Sequence, residues 1–137
     1  MFFEQEENNK IEDLSKVTAL LIHAAKIDEK YSDNEEEVIK KTLLEIGAEK
    51  ANIEKIIEKG KKIEANSNQI LDFTKKVKNM TEQNKLKIIE SLWKIIYSNK
   101  EADIYETSLM RRLAGLLYID NKIMGDIKEK IKNENSK

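Results

Sequence analysis

Two short acidic turns carry the residues of this chain whose types and spacing could do chemistry. The first reads Ile27-Asp28-Glu29-Lys30-Tyr31-Ser32-Asp33-Asn34-Glu35 and the second Ser98-Asn99-Lys100-Glu101-Ala102-Asp103-Ile104-Tyr105-Glu106. Each places Asp or Asn where one helix ends and Glu seven residues later, just inside the next helix. Asp28, Glu29, Asp33, Glu35, Glu36 and Glu37 put six acids within ten residues, an oxygen-donor set suited to Ca2+ or Mg2+. The spacing is not that of an EF-hand, because the twelve-residue loop with its central glycine is absent. The second turn, with Asn99 and Lys100, is poorer in charge and would bind weakly or not at all. The metal-ligand candidates are thus Asp28, Glu35, Asn99 and Glu106. A divalent cation is the one cofactor these residues could hold, and nothing else in the chain calls for one.

A second reading of the same acids needs no ligand. Ser32 to Glu35 fits a capping box, and Asp103 to Glu106 fits it with an Asp cap. Asp28 and Asn99 are residue types that tolerate left-handed backbone and bond local amides at a helix end. A cap contributes about 0.5–2 kcal/mol, reason enough to keep such residues. Both readings stand on the sequence.

Other chemistry is excluded by composition. The 137 residues include no cysteine and one histidine, His23, which removes disulfides, thiol catalysis, Cys–Zn sites, iron–sulfur clusters and multi-His metal sites. No nucleotide loop, nucleophile elbow or metalloprotease motif is present. The 25 basic and 26 acidic side chains leave a formal charge of −1, so no global field draws nucleic acid. No segment approaches the roughly 20 apolar residues that span a bilayer. The acidic start, Met1-Phe2-Phe3-Glu4, lacks the positive charge of a signal peptide, so the expected location is the cytoplasm.

The elements that must position the turns are helices. With no proline and four glycines, the chain lacks the turn formers of a sandwich or barrel, and 39% hydrophobic residues can bury one modest core. Apolar spacing predicts seven helices: Ile11 to Ile27, Asp33 to a Gly47 C-cap, Ala48 to Ile63, Gln69 to Lys78, Thr81 (as N-cap) to Tyr97, one following Asp103, and Asn121 to Lys132. Residues 1–10 are expected to form a flexible acidic tail, 11–132 a single domain and 133–137 a frayed end. His23 is expected buried or half-buried on its helix, and Trp93 with Tyr97, spaced i, i+4, in a core or helix-packing contact. Arg111 and Arg112 are expected to pair with acids of their own helix. Lys59-Gly60-Lys61-Lys62 reads as a solvated helix end.

The chain also repeats itself. Placing Asp28 over Asn99 sets an offset of 71 residues. Under it Val17 lies over Ile88, Leu21 over Leu92, Glu35 over Glu106, Ile39 over Met110, Ile46 over Leu117 and Ile53 over Met124. The register runs through a turn into a third helix, giving two copies of helix, turn, helix, helix.

A helix ending Ala-x-x-Asp, a short turn, Glu seven residues on and then an apolar helix resembles the tellurite-resistance protein TerB family. The second copy, Ser91-Leu92-Trp93-Lys94-Ile95-Ile96-Tyr97-Ser98-Asn99 followed by Tyr105-Glu106 and Leu109-Met110-Arg111-Arg112-Leu113-Ala114-Gly115-Leu116-Leu117, is similar to that family's second half. The family shows Ala-Asp-Gly in the turn of each half. Here Glu29 replaces one glycine, Asn99 replaces the second Asp and Lys100 the second glycine. The resemblance, over Leu14 to Ile131, implies an all-α, TerB-like bundle of about seven helices in two similar halves. It implies a non-enzymatic, cytoplasmic accessory of a stress and metal response that binds protein partners. Two alternatives from other classes are a small hydrolase or transferase using paired carboxylates, and a purely structural homodimer.

Overall fold

In the computed structural model, which describes residues 2–27, 33–66, 71–97 and 104–135, the apolar spacing resolves into helices. They are α1 (Phe2–Ile27), α2 (Asp33–Glu45), α3 (Ile53–Ala65), α4 (Leu71–Lys78), α5 (Glu82–Ile96), α6 (Ile104–Leu116) and α7 (Asn121–Asn135). No strand occurs among the described residues, and the fold is all-α as expected. The starts follow local chemistry. Thr81 caps α5, its Oγ1 accepting from the Asn84 N–H at 3.2 Å. Asp120 does the same for α7, accepting from the Lys122 N–H at 2.8 Å.

Two boundaries differ from the periodic reading. Helix α1 starts at Phe2, so the stretch expected to be a flexible tail is its first turns. Residues 5–10 are exposed, hence invisible to apolar spacing, yet hold no glycine or proline that would stop a helix. Glu7 there accepts a bond from the Asn52 side chain at 3.2 Å. Helix α7 likewise runs past Lys132 to Asn135. Before α3 lies a single 3-10 turn, Lys50–Asn52, because the end of α2 sets Ala48 outside the next helix.

That end shows the repeat in atomic detail. Gly47 takes φ +111°, its N–H reaches the Leu44 carbonyl at 3.3 Å, and the Ala48 N–H reaches the Leu43 carbonyl at 2.8 Å. This is a Schellman termination. Advancing every residue by 71 gives the end of α6: Tyr118 takes φ +56°, its N–H reaches Gly115 at 3.4 Å, and the Ile119 N–H reaches Ala114 at 2.9 Å. The left-handed residue is glycine in one copy and tyrosine in the other.

The halves interleave. Helix α1 packs most extensively on α3, α5 packs alike on α1, α2 and α7, and α6 reaches back to α1 and α4. Residues 17–22 of α1 are buried without a break, so this helix is covered on all sides rather than on one face. Small residues make that possible. Gly60 of α3 sits so close that a Cβ there would lie 2.5 Å from Thr18 Cγ2 and 3.1 Å from the Ser15 carbonyl. Thr18 and Ser15 each return their hydroxyl to the carbonyl four residues back, Leu14 at 2.9 Å and Ile11 at 2.6 Å. Gly60 is therefore mid-helix and buried, not part of a solvated end.

Gly60→Ala is expected to destabilise the fold by about 1–3 kcal/mol, because Thr18 Cβ, 2.7 Å away, and the Ser15 carbonyl are rigid as well. Urea denaturation measures this. Thr18→Ser, which removes the nearest methyl, should recover part of the loss in the double variant, and no loss at Gly60→Ala would refute the close contact.

Candidate functional site

The first turn is framed by the end of α1 and the start of α2. Glu35 lies in the first turn of α2, where a carboxylate meets the positive end of the helix dipole. It is 3% exposed and partnered. Glu106 takes the matching place in the first turn of α6, as the offset requires. Its side chain, with Asp28, Asn99 and the Ser32 and Asp103 caps, lies outside the described residues. Of the four candidate ligands, only Glu35 thus has a described environment. Among the described residues, no three His, Cys, Asp or Glu side chains are grouped to hold a metal.

The polar clusters that are described tie helices together. Glu64 of α3 accepts a bond from Lys26 of α1 at 3.0 Å, with His23 Nδ1 at 3.8 Å from its other oxygen. The latter is too long for a hydrogen bond, so His23 has a nearby charge rather than a catalytic partner. Its ring rests against Phe73, centroids 6.0 Å apart, which makes it the half-buried packing histidine the sequence predicts. Lys61 pairs with Glu36 at 3.5 Å and Lys40 with Glu54 at 3.2 Å, both between α2 and α3. Sequence reasoning missed these links because their partners sit on different helices.

Trp93 and Tyr97 stack with centroids 5.9 Å apart, both buried, as their spacing predicts. The Lys128 ammonium of α7 lies 5.6 Å from the Trp93 ring. The Trp93 indole N–H is buried without a hydrogen-bond partner. Arg111 and Arg112 are exposed, and the side chains of Asp103 and Glu106, their expected partners, lie outside the described residues.

Two clefts open between the described helices. One, about 530 Å3, lies between α2 and the start of α3 around Leu44 and Ile53. The other, about 160 Å3, lies between α2 and α5 around Thr42 and Ser91. Glu35 lines neither of these two clefts.

The sequence matches the family described as tellurite resistance protein TerB over residues 14–129, which takes in both Schellman ends and all but the last turns of α7. The chain belongs to the TerB family. None of the curated proteins and none of the solved structures compared with it matches. In its two acidic turns this TerB-family chain has Asp28 and Glu35 in the first and Asn99, Lys100 and Glu106 in the second. No described helix is long and apolar enough to cross a membrane.

Glu54 raises the pKa of Lys40 above the ordinary lysine range, first by hydrogen bonding and then by charge, with smaller help from Glu36 and Glu37. A raised folded-state pKa means that the pair contributes below the lysine titration range and is lost as pH rises through it. Glu54→Gln should therefore lower the Lys40 titration midpoint followed by side-chain NMR. An unchanged midpoint would refute the pairing.

Proposed function

We propose that this TerB-family protein acts without catalysis, as a cytoplasmic accessory of a stress response that works by binding protein partners. One observation carries the partner-binding part. Tyr118 is 72% exposed, yet it occupies the left-handed position that Gly47 fills in the first copy. A side chain there costs on the order of 1 kcal/mol of backbone strain. Its side chain lies largely in solvent, and the one described contact of its ring is the Lys78 ammonium, 4.8 Å from the centroid. A strained, exposed tyrosine flanked by a cation suits an anchor at a protein interface, where tyrosine is enriched among the residues that carry binding energy. Ile123, at the start of α7, adds exposed apolar surface near this turn in sequence.

The family's tellurite-resistance description supports the stress-response part. A weak divalent-cation site at the first turn, through Asp28 and Glu35, belongs to the same proposal and rests on the six clustered acids. Titrating Ca2+, Mg2+ and Zn2+ against amide NMR shifts tests that clause. Shifts confined to residues 28–37 and lost in Glu35→Gln are expected, and silence at millimolar metal would remove it.

Tyr118→Gly separates interface from fold. The variant should be at least as stable as the parent, gaining up to about 1 kcal/mol, because glycine enters the left-handed region without strain. Capture of partners from the native cytoplasm should fall. Destabilisation with unchanged capture would make Tyr118 a structural residue and overturn the reading.

A further inference from the structure

The seam between α2 and α5 and its repeat counterpart between α6 and α1 are made of different chemistry. In the first, Thr42, Glu45, Glu90 and Ser91 line the 160 Å3 cleft. Advancing or retreating by 71 residues turns them into Leu113, Leu116, Ala19 and Leu20. The apolar set is buried or partly buried in the core. At these four positions the fold uses apolar side chains in one seam and polar ones in the other, while the rim cations Lys41 and Lys87 have Arg112 and Lys16 as their counterparts. Packing alone does not require hydroxyls at this place, since the other copy manages without them.

The floor of the cleft is two hydroxyls. Thr42 is 3% exposed and Ser91 5%, and the two oxygens are in direct hydrogen-bond contact across the seam. Each also reaches the carbonyl four residues back, Thr42 to Val38 at 2.8 Å and Ser91 to Lys87 at 3.0 Å. Two hydroxyl protons serve three contacts, so one carbonyl contact stands without a proton at any moment. Those carbonyls lie inside helices and keep their backbone partners. A hydroxyl that turned toward a ligand would leave nothing unsatisfied behind it.

The rim is cationic on balance. Glu90 is already engaged by Lys94 and Lys130, each at 3.5 Å. Lys87 is held over the cleft by the Glu45 backbone carbonyl at 3.2 Å, near the negative end of α2, and has no described carboxylate partner. Lys41 also lines the cleft and has no described ion pair. Lys41 and Lys87 therefore face one remaining carboxylate, that of Glu45. A volume of about 160 Å3 admits one small head group, not a nucleotide.

We propose that the α2–α5 cleft binds a small oxyanion, a phosphate or carboxylate group, with the Thr42 and Ser91 hydroxyls donating from the floor and Lys41 and Lys87 supplying the charge. The full chain is titrated at low ionic strength with inorganic phosphate, with acetate, and with chloride as the control, following backbone amide shifts. Saturable shifts confined to residues 38–45 and 87–94 are expected with phosphate or acetate and not with chloride, and the anion that saturates identifies the source chemistry. Thr42→Val with Ser91→Ala, which removes both hydroxyls with little change of volume, should weaken binding by about tenfold or more, the effect of losing hydrogen bonds to a charged group. Lys41→Gln with Lys87→Gln should do the same with the floor intact, and it decides the matter if the first variant fails to fold. Shifts that match chloride, that spread over surface lysines throughout the chain, or that persist undiminished in the folded variants would overturn the proposal.

Discussion

The structure depends on one constraint: the middle of α1, residues 17–22, must be covered on every side. A helix buried all round has no face left for solvent, so its neighbours must approach closely and its polar groups must be satisfied internally. Both conditions are met in the same two turns. Ser15 and Thr18 return their hydroxyls to their own helix, and Gly60 removes the one side chain that would keep α3 away. With α3 seated there, Glu64 comes within reach of Lys26 and close to His23, and α4 brings Phe73 against the His23 ring. These surface pairs are consequences of the central contact rather than causes of it, since exposed ion pairs are worth little by themselves.

The internal repeat explains how such a short chain achieves this coverage. Each copy ends its second helix with the same Schellman geometry, which turns the chain sharply and sets the third helix back against the first. The second helix of each copy leans toward the first helix of the other, so the halves are interleaved. The departures from symmetry then acquire meaning, because the fold provides its own control. Where Gly47 becomes Tyr118 or Leu113 and Leu20 become Thr42 and Ser91, one copy shows what packing alone would accept.

The paired acids that first drew attention illustrate the limit of a local motif. Spacing placed Glu35 and Glu106 correctly, each in the first turn of its helix, because capping and helix phase are set by neighbours three or four residues apart. Spacing could not say that Glu35 would be buried and partnered, since that depends on what packs over the start of α2. The α2–α5 cleft had no sequence signal at all. Thr42 and Ser91 lie 49 residues apart, on helices whose contact only the assembled bundle creates.

By itself the sequence determined the helical class, the number of helices, the two-copy plan and the family, because periodicity, caps and the offset of 71 residues are written along the chain. It also determined that Trp93, Tyr97 and His23 would serve packing. The tertiary structure alone decided that α1 extends back to Phe2, that Gly60 is a contact point rather than a solvated end, and which polar residues meet across helices. The physical reason is range. Helix formation is fixed by interactions within one turn, whereas burial and pairing depend on the geometry of helices distant in sequence, which no local spacing encodes.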